Sequence, residues 1–393
     1  MGRLETPLTY FPLTAEQLDW QSRARAIAEG VLAPRSAEAD RTATFPREQL
    51  QALRDEGFFG LRAEPEHGGS GQGLLTTCLV TETLAAACPS TALIYKMHIE
   101  STEIVARVPT DDQAREFTPR IASGEWLSTV AGSEGGHQGG AWAGAPKAAV
   151  RPVDGGFAIE GVRKAFVTAA GIADCYLFMA TLREEGKPPA PLMFQIKADD
   201  LAWTIDEPWD GLGMRANGSS PMTFNGFLPA ARRLNPENKP VDFFSVAVGT
   251  YAATYLGIAA GCYELLQEYV AETTLADGRR MPEVETIANR VAKAKVELER
   301  SRALLYSAAS AWDAGRVKGP QALFEAKVAA DELATFVTGE AMTLGGGSAY
   351  AKRLPFERYF RDARAGMVMG IAHDIALLNV ARSIFPKPKE AGR

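Results

Sequence analysis

The sequence predicts an α+β multidomain protein with a helical N-terminal domain (1–124), a small β domain (125–236) and a helical C-terminal domain (237–393). Apolar residues recur at helical spacing in the first and third of these ranges. In the middle range, short runs of β-branched and aromatic residues alternate with Gly and Pro turn signals. Because strands do not alternate with helices, the pattern disfavours a doubly wound nucleotide-binding fold.

Composition narrows the class of protein. The chain has 393 residues, of which 46% are hydrophobic and 23% charged, as expected for a globular protein with a large core. Its net charge of −6 argues against a nucleic-acid partner. We find no apolar run that approaches a membrane span and no apolar signal segment, so we predict a cytoplasmic protein without a membrane partner. The scattered cysteines and four histidines predict neither disulfides nor a metal site.

The N-terminal range begins with a recognisable helix start. Thr14 with Gln17 three residues later forms a capping-box pattern. Pro46 opens another helix at a position where proline is tolerated. Two further helices are predicted near residues 79–87 and 93–105.

In the middle range, Asp154-Gly155 predicts a hairpin turn between two strands. Further strands are predicted at 176–180, 192–196 and 222–224. In the C-terminal range a long helix is predicted at 322–344, and a last helix is capped by Asp374. The last helix has one apolar face, which comprises Leu377, Val380, Ala381 and Ile384.

The end of the chain has the most specific pattern. Three glycines, 345–347, precede Glu357-Arg358, the segment Arg361-Asp362-Ala363-Arg364 and a final helix that contains Ala381-Arg382. This stretch resembles the acyl-CoA dehydrogenase family. The resemblance implies an N-terminal helical domain, a β-barrel-like middle domain, a C-terminal four-helix bundle, a flavoprotein oxidoreductase activity and a homotetramer built as two dimers.

Other segments extend the resemblance to the flavin site. Residues 161–174 are similar to a family segment whose aromatic and threonine contact the flavin ring, which implies those roles for Phe166 and Thr168. The loop 129–137 lies at the place of a flavin-binding loop, with Ser133 as the cofactor contact. Gly346 and Gly347 are predicted as further cofactor contacts.

The site for the cofactor tail departs from the family pattern. An arginine segment that reaches the flavin pyrophosphate of a partner subunit is replaced by residues 272–280, where Arg279 or Arg280 is the substitute. The family's glutamine is Thr343 here. We therefore predict FAD, with FMN or a reduced flavin supplied by a partner reductase as alternatives.

The largest departure concerns catalysis. Gly370 occupies the place of the family's catalytic glutamate, and a second place that some members use is Thr254. We predict that His373 is the displaced base, in a loop facing the flavin. Asp374 and His98 are the other catalytic candidates, and Met97, Glu100 and Thr254 are the predicted substrate contacts.

Three functions follow from the resemblance and its departures. The first is oxidation of the CH–CH group of a CoA or carrier-protein thioester, or of a related small substrate, with a non-standard base and with an acceptor protein or oxygen receiving the electrons. The second is a flavin-dependent monooxygenase or oxidase on the same fold. The third is a degenerate member that binds flavin or acyl-CoA without turnover. Under the first, Gly370→Glu is expected to gain some reduction by acyl-CoA.

Overall fold

The computed structural model describes residues 10–107, 110–134, 149–183, 189–237, 242 and 244–385, so the end of the predicted loop 129–137, residues 135–137, lies outside the described residues. Helices precede and follow the strands, as predicted. The helices are α1 (Ala15–Ile27), α2 (Ala33–Thr42), α3 (Arg47–Asp55), α4 (Leu74–Ala87), α5 (Pro89–Arg107), α6 (Asp111–Glu116), α7 (Thr118–Ala122), α8 (Phe244–Glu272), α9 (Glu285–Asp313), α10 (Gln321–Tyr350), α11 (Phe356–Ala363), α12 (Ala365–Val368) and α13 (His373–Ile384). The strands are β1 (Ser128–Ala131), β2 (Ala149–Val153), β3 (Gly156–Lys164), β4 (Cys175–Leu182), β5 (Ala190–Lys197), β6 (Ala202–Ile205) and β7 (Met222–Pro229).

The chain divides into two compact units. The helical unit comprises Met1–Ala33, Leu74–Pro89 and Val248–Arg393, and the sheet unit comprises Pro34–Gly73 and Ser90–Ala247. Each unit therefore takes part of the predicted N-terminal domain. The domain boundaries at residues 124 and 236 stay a prediction.

Local sequence signals explain several element ends. The predicted capping box of α1 is confirmed, since Thr14 Oγ1 accepts from the backbone N–H of Gln17 at 3.2 Å and Gln17 Oε1 accepts from that of Thr14 at 2.9 Å. A single π turn, Ala28–Leu32, joins α1 to α2. Pro46 precedes α3 in the capping position.

The sheet has the strand order β1-β4-β2-β3-β7-β6, with β5 also paired to β4. The predicted turn at Asp154-Gly155 is confirmed, because it joins the antiparallel strands β2 and β3. The parallel pairing of β4 with β1 and β2 was not predicted. Phe178, Phe194 and Phe224 are fully buried and pack edge to face or tilted, which forms the core beneath this sheet.

Helix α8 is the central helix of the helical unit. It is long and apolar enough to span a bilayer, which corrects our prediction that no apolar stretch approaches that length. However, 94% of its most apolar window is buried within the protein, as in a core helix. Gly257 and Gly261 on this helix allow its close packing on α4, because an added Cβ would lie 2.3 Å from the carbonyl oxygen of Glu82 or 2.1 Å from that of Ala86.

The last helix begins two residues before its predicted start. Ala372 is the N-cap, without a side-chain hydrogen bond, so the prediction of Asp374 as cap is wrong. Asp374 is instead exposed in the first turn, where its charge is favourable to the helix dipole. The predicted apolar face is largely uncovered within the chain, since Leu377 is 42% exposed and Ile384 is 62% exposed.

Candidate active site

Three predicted cofactor contacts are brought together in the sheet unit. Backbone pairing places Ser133 beside Phe166, with the N–H of Ala165 donating to the carbonyl of Ser133 at 2.9 Å. Beside this pair, Lys164 Nζ donates to Glu134 Oε1 at 2.7 Å. Ser133 and Glu134, which follow β1, are thus fixed to the end of β3 by both backbone and side-chain contacts.

The Lys164–Glu134 ion pair was not predicted. The Lys164 side chain is fully buried, and that burial lowers its pKa while the hydrogen bond to Glu134 opposes the shift. Breaking such a pair from one side leaves an uncompensated buried charge. Lys164 therefore positions Glu134. In the sequence, a lysine beside an apolar strand end was the only signal for this ion pair.

Phe166 presents its ring outward. It is 57% exposed and packs edge to face on Trp209, with ring centroids 6.5 Å apart and an interplanar angle of 83°. Thr168 is buried, with its hydroxyl oxygen 3.1 Å from that of Ser219. Arg215 donates to the carbonyl of Asp40 and to Asp210, so it holds the turn that contains it.

These residues fit a flat ring with polar edges. An exposed aromatic face supplies apolar contact, and the exposed Ser133 lies next to it with a hydroxyl that donates or accepts hydrogen bonds. Both stand on elements fixed by strand pairing. Phe166 and Ser133 would hold the ring system of a flavin, which supplies hydride-accepting chemistry when bound.

The candidates on α5 belong to the packed interior of the sheet unit. His98 is fully buried, its Nδ1 accepts from the N–H of Ser128 at 3.1 Å, and burial lowers its pKa to about 3. It is therefore a neutral imidazole at pH 7 with a packing role, and catalysis by it stays a prediction. Glu100 accepts from the buried Lys96 at 2.5 Å, and Met97 Sδ lies 3.5 Å from the same Nζ. Their substrate roles also stay predictions.

In the helical unit, Gly370 has φ of +69°, a conformation that favours glycine. A Cβ built at this position would lie 2.5, 2.6 and 2.7 Å from Cζ, Cε2 and Cε1 of Tyr251. Both backbone strain and the Tyr251 ring thus oppose a side chain here. This geometry is unfavourable to the gain of activity that was expected of Gly370→Glu alone.

His373 is not in a loop, which corrects the prediction. It is the first residue of α13 and is only 7% exposed. Its Nδ1 lies 3.4 Å from Oδ2 of Asp331, and its Nε2 lies 3.7 Å from Oε1 of Glu332. A histidine held by a carboxylate through one nitrogen keeps the other nitrogen available for proton transfer.

Asp331 also accepts from the fully buried Lys327, whose Nζ lies 2.6 Å from Oδ2. The same Nζ donates to the carbonyl of Gly366 at 3.1 Å. Burial raises the pKa of Asp331 to about 6, although Lys327 and His373 act in the opposite direction. Burial likewise lowers the pKa of Lys327. These three side chains form a proton-binding group, which we call the Asp331 cluster.

The other candidates of the helical unit are placed as follows. Thr254 is buried and donates its hydroxyl to the carbonyl of Thr250 within α8 at 2.8 Å. Arg279 is 58% exposed and pairs with Asp277 at 2.6 Å. Gly346 interrupts α10 with φ of 52° and ψ of −141°, and both it and Gly347 are exposed. Their binding roles stay predictions.

The sequence analysis missed Tyr251, Lys327 and Asp331. The Lys327–Asp331 spacing of four residues on a largely apolar helix was a usable signal, because it places two opposite charges on one buried face. Tyr251 and Tyr255 have the same spacing and stack with centroids 6.5 Å apart. Nothing in the sequence indicates that Tyr251 meets Gly370, which lies far along the chain.

Comparisons with known proteins agree with the fold. Family models described as the N-terminal, middle and C-terminal domains of acyl-CoA dehydrogenase match residues 14–125, 129–227 and 242–385. The mitochondrial short/branched chain specific acyl-CoA dehydrogenase of Bos taurus is 28% identical over 389 residues, which covers 96% of this chain and 87% of that protein.

Two solved structures share the fold. The FAD complex of PigA has a TM-score of 0.86 at 21% identity and covers 95% of this chain and 98% of its own. The prolyl acyl carrier protein oxidase AnaB has a TM-score of 0.84 at 22% identity and covers 95% of this chain and 100% of its own.

The order of helices, strands and helices, together with matches to all three family models, defines a three-domain flavin-dependent oxidoreductase. The match extends over nearly the whole chain. This chain belongs to the acyl-CoA dehydrogenase family.

Proposed function

We propose that this protein is an FAD-dependent oxidoreductase that oxidises an acyl thioester, or a related small substrate, at its CH–CH group, with His373 as the displaced base. The observation that carries the proposal is the 3.4 Å contact between His373 and Asp331 in a chain that has no side chain at position 370. Removal of a proton from the α-carbon requires a positioned base, and no carboxylate extends from residue 370.

His373 has the features that such a base needs. The Asp331 carboxylate faces Nδ1, which favours the tautomer with the proton on Nδ1 and leaves Nε2 able to accept one. Lys327 donates to the same oxygen of that carboxylate, Oδ2, at 2.6 Å. Asp331 therefore orients the His373 ring, and Lys327 orients Asp331, as in other arrangements of a base and a carboxylate.

FAD is the flavin that the relatives favour. PigA, which shares this fold, was solved as an FAD complex. In this chain Phe166, Ser133 and Thr168 would hold the flavin ring. Arg279 would bind a pyrophosphate once its ion pair with Asp277 is broken. We propose a CoA or carrier-protein thioester as substrate and an acceptor protein or oxygen as the oxidant.

A second candidate is an oxidase or monooxygenase that uses oxygen. It is supported by the missing carboxylate at Gly370 and by one structural relative that is named an oxidase. The two functions differ in the fate of the electrons, since the oxidase consumes oxygen directly.

The test is a titration with FAD followed by anaerobic mixing with a panel of CoA thioesters that differ in branching and polar substituents. We expect binding of FAD, with quenched fluorescence, and loss of its visible absorbance with at least one thioester. Reduction that is followed by oxygen consumption, without an acceptor protein, favours the oxidase. Binding of FAD without reduction by any member of the panel, and without oxygen consumption, contradicts both functions and leaves a non-catalytic binding protein.

A further inference from the structure

The space beside Gly370 is filled by the hydroxyl-bearing end of the Tyr251 ring. The three atoms nearest to an added Cβ at Gly370 are Cζ, Cε2 and Cε1, at 2.5, 2.6 and 2.7 Å. Real Cβ atoms do not approach other heavy atoms so closely. The phenol of Tyr251 thus lies where a side chain from residue 370 would begin.

The Tyr251 ring is held firmly in this place. It is 8% exposed and stacks on Tyr255, one helical turn along α8, with an interplanar angle of 9°. Tyr255 is fully buried, and Nζ of Lys327 lies 5.4 Å from its ring centroid. Lys327 in turn is bonded to Asp331 and to the carbonyl of Gly366. Movement of Tyr251 away from Gly370 would therefore require repacking of buried groups that the Asp331 cluster fixes.

We propose that Tyr251 is a specificity-determining residue of the site, and that its phenol takes the volume in which a carboxylate from residue 370 would abstract the α-proton of a plain acyl thioester. The inference rests on the proposed function. A phenol is a hydrogen-bond donor and a weak base, so it does not replace a carboxylate as proton acceptor. The site therefore binds simple straight-chain acyl-CoA without oxidising it, and it oxidises substrates whose proton is taken by another group.

The proposal predicts that Tyr251 and Gly370 are coupled. Gly370→Glu alone leaves the ring in place and gains nothing, whereas Tyr251→Ala combined with Gly370→Glu creates both the space and the base. A positioned general base contributes about 10²–10⁴ in rate. We expect the double variant to be reduced anaerobically by butyryl-CoA at least about tenfold faster than either single variant. If Gly370→Glu alone is reduced by butyryl-CoA as fast as the double variant, the proposal is overturned.

A second measurement avoids a glutamate at a position of positive φ. In Tyr251→Ala, added formate should enter the cavity and act as the base, so reduction by butyryl-CoA should depend on formate concentration. Tyr263→Ala is the matched control, because Tyr263 lies on the same helix and is 7% exposed, compared with 8% for Tyr251. The absence of a formate effect in folded, FAD-loaded Tyr251→Ala, or an equal effect in Tyr263→Ala, would overturn the proposal.

The proposed function and the role of Tyr251 fail in different ways. If the unmodified protein binds neither FAD nor butyryl-CoA, as judged by the flavin spectrum, both are wrong. If it binds both ligands and the Tyr251 variants show no formate-dependent or glutamate-dependent gain, only the role of Tyr251 is wrong. Thermal unfolding and flavin content per chain are measured first for every variant.

Discussion

Nδ1 of His373 lies 3.4 Å from the Asp331 carboxylate oxygen that also accepts from Lys327 at 2.6 Å. The first turn of α13 is therefore connected to the buried face of α10 by a carboxylate with two cationic or proton-donating partners. The proposed base therefore shares a carboxylate with a buried ion pair of the helical unit. Substitution of His373 tests catalysis, and substitution of Lys327 tests stability.

The first prediction concerns His373. Replacement by Gln keeps a polar side chain but removes the imidazole, so reduction of the flavin by an active thioester should slow by about 10²–10⁴. Single-turnover anaerobic kinetics measure this step directly. Ser383→Ala is the control, since Ser383 is an exposed polar residue of the same helix. A His373→Gln variant that keeps its FAD and the unmodified rate would exclude His373 as the base.

The second prediction concerns the buried ion pair. Lys327→Met removes the cation beside Asp331 and should lower the free energy of unfolding by about 3–5 kcal/mol at neutral pH. Replacing both partners, with Lys327→Met and Asp331→Leu, should recover most of this loss because no buried charge remains. Chemical denaturation of the three proteins provides the measurement. A double variant as unstable as the single one would show that the charge is not the cause.

The loss of unfolding free energy in Lys327→Met should increase as the pH rises. The folded-state pKa of Asp331 is already raised to about 6, above its ordinary value, and removal of Lys327 raises it further. An acid with a raised folded pKa costs stability as pH rises through the window between its unfolded and folded pKa values. The difference from the unmodified protein should therefore be larger at about pH 8 than at about pH 5. A difference that shrinks as pH rises would contradict this assignment.

The third prediction concerns the flavin ring. Phe166→Ala should weaken FAD binding about tenfold, because an aromatic contact contributes about 0.5–1.5 kcal/mol beyond the area that it buries. Fluorescence titration gives the affinity. Phe227→Ala is the control, since Phe227 is a comparably exposed phenylalanine of the same sheet, at 46% against 57%. Equal effects of the two substitutions would remove the case for Phe166 as a flavin contact.

The fourth prediction concerns assembly into a homotetramer. Asp362 and Ala363 of the segment 361–364, which we expect near the subunit contact, are buried within the chain, whereas Leu377, Leu378 and Ile384 of α13 are exposed. Light scattering should give four times the chain mass of 42.2 kDa, and Leu377→Glu should reduce it. Leu18→Glu is the control and should leave the mass unchanged, because Leu18 is a comparably exposed leucine of α1. A monomer at micromolar concentration would contradict the prediction.

Much of the fold could be predicted because its signals are local. The capping box at Thr14, the turn at Asp154-Gly155 and the apolar spacing of the long helices act within a few residues. The start of α13 was misplaced because Ala372 caps it through backbone conformation alone, where a side-chain rule favours Asp374. The parallel pairing of β4 joins strands distant in sequence, which no local signal indicates.

The candidate site was predictable only in part, for the same reason. Resemblance indicated Ser133, Phe166 and Thr168, and the structure places Ser133 next to Phe166. The proposed roles of three further residues rest on contacts between distant parts of the chain. These contacts are Tyr251 with Gly370, Lys327 with Gly366 and Asp331 with His373, and they depend on how α8 and α10 pack against the end of the chain. Packing contacts of this kind cannot be read from one sequence.

The most direct test of the proposed base is anaerobic mixing of the FAD-loaded, unmodified protein with butyryl-CoA and octanoyl-CoA, followed through the visible absorbance of the flavin. With the base at His373 and no carboxylate at Gly370, we predict little or no bleaching by either straight-chain thioester. Rapid bleaching by either one would contradict the account, because a group such as His373, Glu100 or Asp374 would then take the α-proton of a straight-chain thioester with the Tyr251 ring still beside Gly370.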